Sequence, residues 1–156
     1  MTRFRTLIAA ATLAIVPAVC AAGDALLTFT HAGQATEFDM EALVALGAQE
    51  VSTTTIWTEG VQTFTGVPLN VFLEEVGVTE GTLKATAIND YAVEVPVEDA
   101  VPGGPIIAYL SNGESMSLRE KGPLWIIYPY DSDPKYQTEV IYSRSIWQLD
   151  RIEAIE

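Results

Sequence analysis

Cysteine and histidine are nearly absent from this sequence, and their scarcity excludes several kinds of chemistry. The 156 residues include one cysteine, Cys20, and one histidine, His31. Cys20 falls in an N-terminal segment that we expect to be removed, so the remaining chain offers no disulfide, thiolate metal ligand or cysteine nucleophile. His31 stands beside a turn, with no neighbouring carboxylate or second ligand in the sequence. Neither a zinc site nor a serine triad is therefore indicated.

Apolar runs long enough to span a membrane are also missing, but a shorter run marks the N-terminus. Two arginines precede the apolar residues Leu7 to Val16, and small residues follow them. This is the pattern of a secretory signal peptide, which we assign to residues 1–22 with cleavage after Ala22. A lipoprotein anchored at Cys20 is less favoured because Val19 is a poor match for the small residue required there. No later run approaches about 18 apolar residues, so we expect a bacterial exported, periplasmic protein without a membrane span.

Basic residues are few. The sequence has eight lysines and arginines and 21 acidic residues. Removal of Arg3 and Arg5 with the signal peptide changes the formal charge from −13 to −15. Nucleic acids and anionic membrane surfaces attract basic patches, so neither is an expected partner. Asp131 and Asp133 could hold calcium, but no EF-hand spacing accompanies them, and we predict no metal site.

The remaining residues, 23–156, are enough for one domain, and their pattern predicts an α+β fold with a mixed β-sheet and short helices. A helix is expected after Asp39, which can cap it, with Gly47 at its end. A second helix is expected from Leu69 because apolar residues recur there at helical spacing up to Val76. Strands are predicted at 25–30, 51–57, 83–88, 91–96 and 106–110, with Asn89 and Asp90 at the tip of a hairpin.

Aromatic residues concentrate near the C-terminus. The stretch from Gly122 to Leu149 contains two of the three tryptophans and four of the six tyrosines. We predict two strands here, joined by an aspartate-rich loop. So much aromatic surface in a small domain belongs either to the core or to the wall of a pocket.

Several motifs in order resemble the molybdopterin-binding domain of the sulfite oxidase superfamily, from about Leu27 to the C-terminus. The resemblance implies a sulfite-oxidase-like fold. The segments that carry it are Phe64-x-Gly66-Val67-Pro68-Leu69, Ala87-Ile88-Asn89-Asp90-Tyr91-x-x-x-Val95-Pro96, Ile107-Ala108-Tyr109-x-x-Asn112-Gly113, Gly122-Pro123-Leu124-x-Ile126-Ile127-x-Pro129 and Arg144-Ser145-Ile146-x-x-Leu149.

The resemblance implies a molybdenum ion on a pterin dithiolene, held by one cysteine thiolate, with a tyrosine assisting oxygen-atom transfer. Tyr91 matches that tyrosine and would be catalytic if the protein is an enzyme. Arg144 matches the basic segment that approaches the pterin. The thiolate, however, is expected within residues 53–57, where this chain has no cysteine. Trp125 stands where the family often has arginine, and Trp147 follows an isoleucine where the enzymes have lysine.

These departures favour a cofactor-free relative that acts as a periplasmic binding or interaction module for a small ligand or a protein partner. The alternative is a molybdopterin-dependent oxidoreductase that binds the cofactor without a cysteine ligand. The predicted ligand-contacting residues are Trp57, Asn89, Asp90, Tyr91, Trp125, Tyr128, Arg144 and Trp147.

Overall fold

The computed structural model describes residues 23–155. The predicted signal peptide, its cleavage site and Cys20 lie outside the described residues. Two β-sheets and three short α-helices account for most of the described chain. The predicted α+β class is confirmed.

The first sheet joins the two ends of the described chain. It has the order β2-β1-β10-β5-β6. Strands β1 and β10 run parallel, whereas the other neighbours are antiparallel, so the sheet is mixed as predicted. Its strands are β1 (Leu27–His31), β2 (Gln34–Phe38), β5 (Thr82–Ala87), β6 (Ala92–Pro96) and β10 (Leu149–Ile155).

The second sheet is antiparallel and is built around β7, which pairs with β4, β8 and β9. Strand β3 pairs with the far edge of β4. Its strands are β3 (Gln49–Thr53), β4 (Gln62–Pro68), β7 (Ile106–Ser111), β8 (Glu114–Ser115) and β9 (Trp125–Ile127).

The first two helices have the termini expected from their sequence. Helix α1 (Met40–Ala45) begins at Asp39, whose carboxylate accepts a hydrogen bond from the Ala42 N–H at 2.8 Å. Helix α2 (Leu69–Val76) ends at Gly77, which adopts the left-handed conformation with φ 73°. Glycine adopts this conformation without strain, which explains the sharp stop.

Helix α2 contributes to the core through its apolar face. Its Phe72 is fully buried and meets Phe29 of β1 at 5.6 Å and Phe38 of β2 at 5.2 Å between ring centroids. The same helix contacts β4 of the second sheet. Burying such side chains contributes about 1.5–3 kcal/mol each, so α2 helps to hold the two sheets together.

The predicted strand pair of the C-terminal aromatic stretch is wrong in its second half. Residues Glu139–Arg144 form helix α3, and the strand β10 begins only at Leu149. The Thr138 side chain caps the helix by accepting a hydrogen bond from the Ile141 N–H. Capping and packing of Ile141 therefore override the strand preference of this isoleucine- and tyrosine-containing segment.

Two smaller differences concern the strands. The predicted strand at 51–57 ends at Thr53, and residues 54–61 form a loop that matters for the site. Strand β2 was not predicted, because apolar and polar residues do not alternate along it. Four of its five residues are exposed in the structure. Within residues 23–155, no helix is long and apolar enough to cross a membrane.

Candidate functional site

The residues 146–149 connect the two sheets and form the floor of a pocket. The Ile126 N–H donates to the Ile146 carbonyl at 2.9 Å, and the Leu149 N–H donates to the Leu124 carbonyl at 3.0 Å. On the other side, the Ile88 N–H donates to the Gln148 carbonyl at 2.9 Å. The segment therefore ties β9 of one sheet to the β5–β6 turn of the other.

The β5–β6 turn brings Asn89 and Tyr91 to one side of this segment. The Asn89 side chain accepts a hydrogen bond from the Tyr91 N–H at 3.2 Å, which is a local turn stabilisation. Asp90 has φ 67° and pairs with Arg151 at 2.7 Å. The pair is exposed and contributes little to stability, but it keeps Asp90 away from the pocket. The Tyr91 side chain is 58% exposed and is free to contact a ligand.

The loop 54–61 supplies Trp57 and is anchored at its start. The Thr54 hydroxyl and N–H donate to the Asp131 carboxylate at 2.7 and 2.6 Å. These two hydrogen bonds lower the pKa of Asp131 below its ordinary value. The Thr53 hydroxyl is buried, accepts from the Asp131 N–H and donates to the Thr54 carbonyl. Thr55, the third threonine within residues 53–57, accepts hydrogen bonds on its hydroxyl from the Trp57 and Thr58 N–H groups. All three threonine hydroxyls in the range where the resemblance expects the thiolate are thus used within the protein.

Trp57 is the centre of an aromatic cluster. Its ring lies 5.6 Å from that of Trp147, 5.7 Å from Trp125, 5.9 Å from Tyr142 and 6.2 Å from Tyr130. Every pair has the edge-to-face arrangement, with interplanar angles of 63–85°. Each such pair contributes about 0.5–1.5 kcal/mol beyond the area that it buries, so the cluster is a rigid wall.

A pocket of about 400 Å³ opens against this wall. The volume falls in the range of small-molecule sites. Among residues 23–155, those that line the pocket include no acidic or basic side chain. The lining residues are Trp57, Ala87, Asn89, Tyr91, Tyr142, Ser143, Ser145, Ile146, Trp147 and Gln148.

Tyr128, Asp99 and Arg144 form a separate network below the pocket. The Tyr128 hydroxyl donates to Asp99 at 2.7 Å, and the Arg144 guanidinium donates to both oxygens of the same carboxylate at 2.9 and 3.2 Å. Burial raises the pKa of Tyr128, and the hydrogen bond to Asp99 raises it further. The network fixes the end of α3 to the turn at 97–99.

The structure brings four of the eight predicted site residues to the pocket: Trp57, Asn89, Tyr91 and Trp147. The other four are placed differently. Trp125 is 2% exposed and donates its indole N–H to the Ser145 carbonyl, so it belongs to the aromatic cluster but does not line the pocket. Tyr128 is fully buried, Arg144 is bound to Asp99, and Asp90 is bound to Arg151. None of these four residues lines the pocket, so they do not present contacts to a ligand there.

Tyr142, Ser143 and Gln148 line the pocket without having been predicted. Tyr142 and Ser143 were assigned to a strand, and their position on α3 is what turns them towards the pocket. Gln148 has φ 52°, a conformation uncommon outside glycine. No motif in the sequence predicts this conformation of Gln148.

Lys121 approaches the wall from outside the pocket. Its ammonium lies 4.4 Å from the centroid of the Trp147 ring and 5.8 Å from that of Trp125. It lines a neighbouring cavity of about 460 Å³, together with Arg119 and Glu120, rather than the pocket itself. The cluster therefore already holds one cation on an aromatic face.

Comparisons with known proteins agree with this architecture. The family model described as "Oxidoreductase molybdopterin binding domain" matches residues 47–131. A search of curated proteins gave no match. The crystal structure of the sulfane dehydrogenase SoxCD from Paracoccus pantotrophus is similar in fold, with a TM-score of 0.62 and 19% identity. The match covers 82% of this chain and 37% of the SoxCD chain, so this chain corresponds to little more than a third of that one.

Proposed function

Because the chain belongs to the oxidoreductase molybdopterin-binding domain family, we propose that it is an exported relative that keeps the family fold without the cofactor and binds a small ligand in the pocket. The pocket between Trp57 and Tyr91 is the place that the resemblance associates with the cofactor. It lies at the junction of the two sheets, where one wall is a rigid aromatic cluster and the other is the exposed Tyr91.

The donor set of the pocket carries this proposal. A molybdenum pterin needs a soft thiolate for the metal and cations for its phosphate. Over the described range 23–155, the pocket lining contains neither. Thr53 and Thr54, which stand near the family's thiolate position, have their hydroxyls committed to Thr54 and Asp131. The residues present do not fit the cofactor, so we assign no catalytic step to it.

The charge of the domain also disfavours binding of the cofactor. Arg144 is held by Asp99 and Arg151 by Asp90, so neither is available to an anion in the pocket. The full sequence has a formal charge of −13, and loss of Arg3 and Arg5 with the signal peptide would make it −15. Among residues 23–155, a doubly charged phosphate would find no basic side chain in the pocket lining, and the net negative charge of the domain would oppose its binding.

A molybdopterin-dependent oxidoreductase is the second candidate, and one observation favours it. The Tyr91 side chain is exposed at the pocket, where the resemblance expects a tyrosine that assists oxygen-atom transfer. An enzyme of this kind would have to hold the metal without a cysteine.

The two candidates differ in molybdenum content. The protein is exported from a bacterial host that makes molybdenum cofactor, purified, and assayed for molybdenum and for oxidised-pterin fluorescence. A cofactor-bearing member of the family, exported by the same cells, is the positive control. We expect neither signal above background. Near-stoichiometric molybdenum would exclude the cofactor-free function.

A further inference from the structure

Four aromatic side chains line the pocket, and we call them the aromatic box: Trp57, Tyr91, Tyr142 and Trp147. Trp147 and Tyr142 both meet Trp57 nearly at right angles, with interplanar angles of 72° and 85°. Tyr91 stands on the β5–β6 turn and completes the lining. Aromatic rings carry negative potential over their faces, so rings that line a pocket can attract a cation within it.

We propose that this pocket binds the quaternary ammonium group of a small organic cation, an inference that rests on the proposed binding function. Aromatic faces attract cations, and aromatic boxes are a recurrent way of recognising trimethylammonium groups. The box here would hold the ammonium group, and the rest of the 400 Å³ would hold the remainder of the molecule.

The absence of charge in the lining selects among ligand classes. An anion would have no basic partner in the pocket, considering residues 23–155. A primary ammonium carries three N–H donors that need acceptors, and the pocket offers it only neutral oxygens, such as those of Ser143 and Gln148, and no carboxylate among residues 23–155. A quaternary ammonium has no N–H donor, so aromatic faces satisfy it without a hydrogen bond.

Lys121 shows that this cluster can hold a cation. Its ammonium lies 4.4 Å from the Trp147 centroid, within the distance of a cation–π contact. Because Lys121 does not line the pocket, it leaves the pocket itself available. It also places a positive charge near the box, which should weaken the binding of a second cation.

The test compares choline with its neutral isostere 3,3-dimethylbutan-1-ol, in which carbon replaces nitrogen. Both are titrated into the exported protein by calorimetry. A cation–π contribution predicts that choline binds more tightly by between about 2- and 30-fold. Equal affinity for the two probes would overturn the inference, because shape alone would then explain binding.

Variants of the box give a second readout. Tyr91→Leu removes an exposed ring and should lower choline affinity, and Tyr91→Phe, which keeps the ring, should bind choline more tightly than Tyr91→Leu. Trp147→Leu should lower the affinity as well. Thermal unfolding of each variant confirms that the domain has folded. Unchanged choline affinity in both leucine variants would contradict the assignment to this pocket.

Lys121→Gln provides the sharpest variant because it should raise choline affinity. Removing the ammonium removes a like charge that lies 4.4 Å from the centroid of the Trp147 ring. Lys84→Gln is the matched control, since Lys84 is exposed on β5 and its removal changes the net charge equally. Choline affinity should rise in Lys121→Gln by more than in Lys84→Gln. An equal change in both would show only the effect of net charge and would overturn the proposed contact.

Failure of this inference is distinguishable from failure of the proposed function. Binding of neutral indole in preference to choline would overturn the cation assignment and leave a cofactor-free binding pocket. Molybdenum in the purified protein would instead overturn the proposed function itself.

Discussion

We predict that the free energy of unfolding of the domain falls at alkaline pH because of Tyr128, whose hydroxyl stays protonated in the folded protein. Burial, followed by the hydrogen bond to Asp99, raises its pKa above the ordinary value. Tyrosine in the unfolded chain has a pKa of about 10. Above that pH the unfolded chain releases a proton that the folded protein retains, so the free energy of unfolding falls as pH rises.

The size of this effect follows from proton counting. Each tyrosine that stays neutral only when folded lowers the free energy of unfolding by about 1.4 kcal/mol per pH unit above its unfolded pKa. Burial also raises the pKa of Tyr130, so the two together predict a slope of about 2.7 kcal/mol per pH unit. Tyr128→Phe removes one of them and should make the slope shallower by about 1.4 kcal/mol per pH unit.

Urea unfolding at a series of pH values from neutral to strongly alkaline measures the slope directly. The slope is a better readout than stability at one pH, because Tyr128→Phe also loses the hydrogen bond to Asp99, and this loss lowers the free energy of unfolding without changing its slope against pH. Tyrosinate absorbance of the folded protein is the companion measurement. An unchanged slope in Tyr128→Phe would refute the reasoning: the hydroxyl would then be open to solvent, and Tyr128 would return as a candidate ligand contact.

Three other changes test separate parts of the structure. Asp131→Asn should cost at most about 1 kcal/mol at neutral pH, as the site is exposed. Hydrogen bonds from Thr54 lower the pKa of the Asp131 carboxyl in the folded protein. Its contribution to the free energy of unfolding is therefore present above the ordinary pKa and is lost as the pH falls through the lowered pKa. Acid unfolding curves of the variant and the parent should converge in that pH range. Gly66→Ala should cost about 3 kcal/mol in thermal unfolding, because the new Cβ would clash with the Ile107 carbonyl oxygen. A loss below about 1 kcal/mol would contradict the close approach of the two strands. Asp99→Ala should cost about 2–3 kcal/mol in urea unfolding, since it leaves a buried hydroxyl and a half-buried guanidinium unpaired, and an unchanged midpoint would argue against that network.

Local signals in the sequence predicted local structure well. The cap at Asp39, the apolar face of α2 and the turn at Asn89 and Asp90 are all present. Each of these depends on residues within one helix or turn, where side-chain chemistry decides the backbone conformation. The parallel pairing of β1 with β10 joins distant parts of the chain, and no local pattern encodes it.

The site was predicted in part, and for a different reason. The resemblance to a known family placed Trp57, Tyr91 and Trp147 together, and the structure does the same. Tyr142 was missed because its segment was assigned to a strand. Arg144 was assigned to the ligand because it matches the family's basic segment that approaches the pterin. Its partner Asp99 lies 45 residues away, and no local pattern in the sequence predicts an ion pair over that separation.

Native mass spectrometry of the exported protein tests most directly whether this domain works without the family's cofactor. The protein would be purified from a host that makes molybdenum cofactor and, in parallel, from a host that does not. We predict the same mass from both, equal to that of the processed polypeptide. An additional mass equal to a molybdenum pterin, present only in the protein from the first host, would contradict the account.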